Sequence, residues 1–97
     1  MLRDMIPPEL LEDVKNNLDI TWSDPATDRK VCSWIASGTS YLDLKLGGEQ
    51  DYCADGMPRT LLMDYTRYAR DSALDAFENN FRSMILTAQH ERMMNDA

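Results

Sequence analysis

His90, the two cysteines Cys32 and Cys53, and a set of scattered carboxylates are the residues from which a catalytic or metal centre would first be built in this chain. Zinc needs three or four Cys, His or carboxylate ligands at short spacing. Here the cysteines lie twenty-one residues apart and the one imidazole stands in a polar tail, so no such site assembles from local sequence. Asp51 and Asp55, followed by Gly56, have a faint look of an acidic calcium loop, but the alternating oxygen ligands and closing glutamate are missing. Asp71 and Asp75 sit one helical turn apart, a spacing open to acid–base work. Two acids on a polar helix face are more often simply solvated. No serine stands with a histidine and a carboxylate in a nucleophile motif, and no glycine-rich phosphate cradle is present. The expectation is a protein with no catalytic residue, cofactor or metal.

A second group is basic. Arg59, Arg67 and Arg70 fall on one side of a helical segment together with Met63 and Leu74. Such a face either solubilises the helix through near neighbours such as Asp64, Asp71 and Asp75, or meets another subunit, since arginine and methionine are enriched at interfaces. The residues alone leave both open.

The elements that must position these groups are helical. Residues 7–17 start with Pro7-Pro8, carry Glu9 and Glu12 near the positive end of the helix dipole, and repeat Leu10, Leu11, Val14 and Leu18 at helical spacing. Asp24 as N-cap, Pro25 at the first position and Asp28 in the first turn open a second helix over 24–46, closed by Gly47-Gly48. Its stripe is Val31, Trp34, Ile35, Gly38, Tyr41, Leu42 and Leu46, with Gly38 as a point of close approach and Leu44 turned away. Cys32 lies near this stripe. After a polar loop, Pro58 restarts a helix over 57–76 with the stripe Leu61, Leu62, Tyr65, Tyr68, Ala69, Ala73 and Ala76. A further helical stretch runs to about residue 90. There Leu74, Phe77, Phe81, Met84, Ile85 and Ala88 recur on a face rotated by roughly 120°. The face therefore jumps near Ala76–Phe77. Either the helix breaks around Asn79-Asn80 and folds back, or it runs on and offers a second face to another molecule. The fold class expected is all-α: one domain over 1–97, a small bundle of three main helices plus a C-terminal helical extension, with a flexible tail from about residue 89.

Composition narrows the function classes. At 97 residues and 43% hydrophobic content the chain supports one small core. It opens into a polar segment without a basic–apolar leader and has no run of roughly 18 apolar residues, so no membrane role and a cytosolic site of assembly are expected. Two cysteines make no secreted disulfide framework, and free thiols are expected. The net charge of -7 argues against gripping DNA phosphates, and no basic recognition helix is evident. Because Leu61, Tyr65 and Tyr68 already fill one core against Val31, Trp34 and Leu42, the rotated stripe of Leu74, Phe77, Phe81, Ile85 and Ala88 is left to a partner. Phe77 and Phe81 are the expected anchors of that interface, with Arg67 and Arg70 at its rim.

The run Val14-Lys15, Leu18, Ile20-Thr21-Trp22, Asp24 and Thr27-Asp28 resembles the opening signature of the head–tail connector (adaptor) proteins of long-tailed bacteriophages. Gly38 with Tyr41-Leu42, then Leu62, Asp64-Tyr65, Arg67-Tyr68, then Ala73-Leu74, Phe77, Asn80-Phe81 and Ile85-Leu86 follow in that family's order, so the likeness spans roughly residues 10–88. No single segment is specific; their joint order and spacing carry the likeness. It implies a structural virion subunit, assembled in the host cytoplasm, that forms a twelvefold ring in the neck. The ring would dock under the portal protein and receive the stopper or tail-completion protein. Genomic DNA would pass through its channel without sequence-specific binding. Twelve copies at -7 carry on the order of 80 negative charges, which would keep DNA from adhering to the channel wall. The glycine pair and the Cys53 loop match nothing in that family. The alternative class is a small cytosolic helical protein that binds and regulates another protein.

Overall fold

The structure is a computed structural model that describes residues 6–96, and it is all-α with no strand among the described residues. Four helices follow in order: α1 (Pro8–Asn17), α2 (Pro25–Leu46), α3 (Met57–Arg70) and α4 (Leu74–Asp96). α1 begins on Pro7, whose carbonyl accepts from the Leu10 and Leu11 amides, and buries Leu10, Leu11 and Val14. Asp24 caps α2 as its residue type foretold: its carboxylate accepts from the Thr27 amide at 3.1 Å. Gly47, at φ 85, ends that helix in the left-handed conformation glycine adopts at low cost.

The other two helix ends use the same device without glycine. Asp19 (φ 60) follows α1 and Ser72 (φ 56) follows α3. In each case the next amide reaches back to satisfy an orphan carbonyl, Ile20 to Lys15 at 2.8 Å and Ala73 to Tyr68 at 2.9 Å. The break in the C-terminal half therefore falls at Asp71–Ala73, ahead of the Asn79-Asn80 position the sequence suggested. The third helix ends at Arg70 instead of about residue 76. The fourth passes residue 90, where an end and a flexible tail were expected, and continues as helix to Asp96.

This early fold-back overturns one expectation. α4 returns onto the α2–α3 layer, and the rotated stripe is largely the molecule's own core: Phe77 is only 1% exposed, and Ile85 and Ala88 are buried. Phe77 sits among Tyr41, Tyr65, Tyr68 and Phe81 at ring-centroid distances of 5.0–6.1 Å, mostly edge to face. Burying one such ring is worth roughly 1.5–3 kcal/mol, with about 0.5–1.5 more for each well-placed aromatic pair. Phe81 is half-buried and stacks on Phe77; Leu74 is more open. The rest of the core centres on the almost fully enclosed Val14, Val31, Cys32, Ile35, Leu42, Leu61 and Leu62, with Trp34 half-buried at its margin. Gly38 is the close approach its position suggested, since a Cβ there would stand 2.8 Å from Leu62 and Tyr65 side-chain carbons.

Beneath this core lies a buried ion pair. Lys15 in the last turn of α1 meets Asp28 in the first turn of α2 at 2.9 Å, both almost fully enclosed. Each charge also faces the favourable end of its own helix dipole.

Candidate functional site

The residues with chemical potential do not converge. His90 and Cys53 are exposed, Cys32 is buried in the core, and Asp71 and Asp75 lie on the surface. Among the described residues no group of three or more His, Cys, Asp or Glu side chains is placed to hold a metal ion. Asp51 spends its carboxylate on the Cys53 amide at 3.0 Å, a local turn. The Cys53 thiol is pushed up by partial burial and by the nearby charges of Glu9 and Asp51, which disfavours the reactive thiolate. No helix of the described residues is long and apolar enough to cross a membrane.

The basic face of α3 has a definite intramolecular task. Arg59 pairs with Asp13 at 2.9 Å and donates to the Tyr52 carbonyl at 3.1 Å. Arg67 donates to the Asn17 carbonyl at 3.2 Å, and Arg70 to the Leu18 carbonyl at 3.0 Å. Guanidinium groups thus cap the carbonyl end of α1, where the helix dipole is negative. Of the expected local partners, Asp71 is taken by Arg70 at 3.3 Å, and Asp64 feels Arg67 through space. The six residues proposed for one interface, Leu74, Phe77, Phe81, Ile85, Arg67 and Arg70, therefore divide. Phe77 and Ile85 are withdrawn into the core, the two arginines hold α1, and Leu74 and Phe81 keep partial exposure.

Two surface features take their place. The first is the outer side of α4. Leu86 is 57% exposed and Met93 71%, and seven residues of helix bring them within about 20° of one another; Met94 is equally open. Leu86 also borders a shallow groove of about 300 Å³ shared with Lys45, Glu78, Arg82, Ile85 and Gln89. Its walls are tied by Lys45–Glu78 at 2.7 Å and by the Gln89 amide donating to the Lys45 carbonyl at 2.7 Å. The hydrogen-bonded pairing raises the Lys45 pKa and lowers that of Glu78, so both stay charged.

The second feature is the loop after α2, which matched nothing in the sequence. Asp43 organises it: Oδ1 accepts from the Tyr52 hydroxyl at 2.6 Å and from the Gln50 amide at 3.1 Å. Burial, and then the Asp43 carboxylate, push the Tyr52 phenol far above its ordinary range and keep it a donor. The pinned loop leaves an open-mouthed cavity of about 290 Å³ with Ile6, Leu10 and Ile35 on its apolar side and Glu49 and Asp51 among its polar residues. Sequence reasoning missed this site because its organiser, Asp43, is an ordinary polar position on a helix. No protein family, curated protein or solved structure matches this chain at a significant level.

Proposed function

We propose that this chain is a structural, ring-forming subunit of a virion neck: the adaptor between a portal and its stopper or tail-completion protein, around a channel through which DNA passes. The observation that carries the reading is the end of α4. Among the described side chains, the last buried one on that helix is Ala88 and the last tied to the body is Gln89, yet the helix continues to Asp96 bearing exposed Met93 and Met94. An unbranched, polarizable side chain on an exposed helix end suits a protein contact, and Leu86 extends that contact toward the body of the subunit. The acidic composition agrees with a surface past which DNA slides. The portal, the stopper and the twelvefold count come from the sequence resemblance.

The test is electron microscopy of portal particles mixed with the purified chain. The expected result is an added ring layer, lost in the Leu86→Glu/Met93→Glu variant while its helical circular dichroism stays that of the parent. Intact portals that gain no layer from the wild-type chain remove the connector reading. A one-to-one complex with some other protein, formed without a ring, would favour the regulator instead.

A further inference from the structure

We infer that the chain binds a second copy of itself head to tail, with Trp22 and the exposed Arg29–Lys30 pair of α2 on one copy seated in the acid-bearing cavity under the 47–56 loop of the next. This deepens the ring reading and rests on it for biological setting, while its contact residues come from the geometry alone.

The donor end is unusual for so acidic a chain. Trp22 is 54% exposed, with its indole N–H directed at the Thr27 hydroxyl at 3.4 Å. Arg29 and Lys30 follow, exposed, in the first two turns of α2. Most other described cations are engaged within the chain: Lys15, Lys45, Arg59 and Arg70 in ion pairs, Arg67 on the α1 carbonyls. Arg29 and Lys30 make no ion pair among the described residues, although Arg29 is near enough to favour the charged Asp24 cap, so this corner offers an aromatic ring beside two exposed cations and one carboxylate already held by Thr27. Tryptophan and arginine are the side chains that most often dominate protein interfaces.

The acceptor end is its complement. The cavity's apolar side is Ile6, Leu10 and Ile35, its Asp43–Tyr52 wall is held by a 2.6 Å hydrogen bond, and Glu49 and Asp51 add negative charge. Glu9 stands at this end too, close enough to act on the Cys53 thiol together with Asp51, and the one cation felt there, Arg59, is paired with Asp13. At about 290 Å³ the cavity falls just short of the roughly 300 Å³ at which drug-sized ligand pockets begin. It suits one aromatic side chain. An apolar floor beside acids matches an indole beside cations, and opposite potentials select this register over any acid-to-acid approach.

Donor and acceptor are different surfaces of one subunit. One lies at the start of α2, the other against its second half and the loop beyond. Such a contact is heterologous and propagates, closing a ring when the rotation per subunit allows it.

The experiment is sedimentation velocity over a concentration series up to the millimolar range, on the wild-type chain and three variants whose changes lie at exposed positions. Trp22→Ala is expected to weaken self-association at least tenfold. Arg29→Glu/Lys30→Glu and Glu49→Lys/Asp51→Lys should each abolish it alone, and mixing those two reversed chains should restore it, because each then supplies the charge the other lacks. Circular dichroism verifies that all variants remain folded. A wild-type chain monomeric throughout, or reversed chains that associate alone or fail to recover on mixing, overturns the inference. Association that obeys the charge pattern while portals gain no layer leaves this contact standing and removes the connector reading. A layer on portals that the reversed chains add as readily as wild type does the opposite.

Discussion

α2 and α4 are nearly equal in length, 22 and 23 residues, and they are governed by different things. α2 is announced at both ends, by Asp24-Pro25 and by Gly47-Gly48, and it buries residues from Asp28 to Leu46 along its whole length. α4 starts after a serine in the left-handed conformation and, among the described side chains, has its buried positions at Phe77, Ile85 and Ala88, with exposed Met93 and Met94 beyond them. One helix contributes to the core from its first turn to its last. The other has its described buried side chains in its first two-thirds and exposed methionines near its end. Equal helices need not have equal jobs.

The largest effect is expected where α4 is core. Phe77→Ala empties the centre of the aromatic cluster and should cost roughly 3–5 kcal/mol in urea unfolding; a loss under 1 kcal/mol would mean α4 does not pack as described. At the start of α2, Asp28→Ala leaves the Lys15 charge buried without its ion-pair partner and should cost about 3 kcal/mol. The Lys15→Met/Asp28→Leu double variant should recover most of that, since an apolar pair of similar size avoids the desolvation cost. In mid-α2, Gly38→Ala places a methyl 2.8 Å from Leu62 and Tyr65 and should destabilise by about 1–3 kcal/mol; a gain in stability would show the α2–α3 contact to be looser.

The next effect runs the other way. Ser72→Gly removes the steric cost of a left-handed L-residue and should stabilise by about 1 kcal/mol, measured as a raised denaturation midpoint with unchanged slope. Smallest of all, Met93→Ala should shift stability by less than about 0.5 kcal/mol, which sharpens the contrast with Phe77 on the same helix. A larger loss from Met93→Ala would extend the core to the end of α4.

Much of this molecule follows from local chemistry visible in the residues. The caps at Asp24 and Gly47, the restart of helix at the Met57-Pro58 step, the buried stripe of α2 and the close approach at Gly38 are each dictated by a side chain or its absence acting within one turn. The remainder was settled by tertiary contact. Serine is poor at a left-handed turn, and Ser72 adopts one because Phe77 then enters the ring formed by Tyr41, Tyr65 and Tyr68. That gain exceeds the local strain, and no pattern along the chain records it. The stripe that periodicity assigned to a partner became core for the same reason: periodicity gives the direction of an apolar face and says nothing of what covers it. The arginines of α3 likewise advertise a charged face, but only the placement of α1 supplies the carbonyls they cap. The Asp43–Tyr52 hydrogen bond spans nine residues and a turn, so the cavity it holds open exists only once the loop has closed. Sequence determined the helices, their caps and the acidity; the energy of packing decided where the last helix turns back, and with it which residues face the outside.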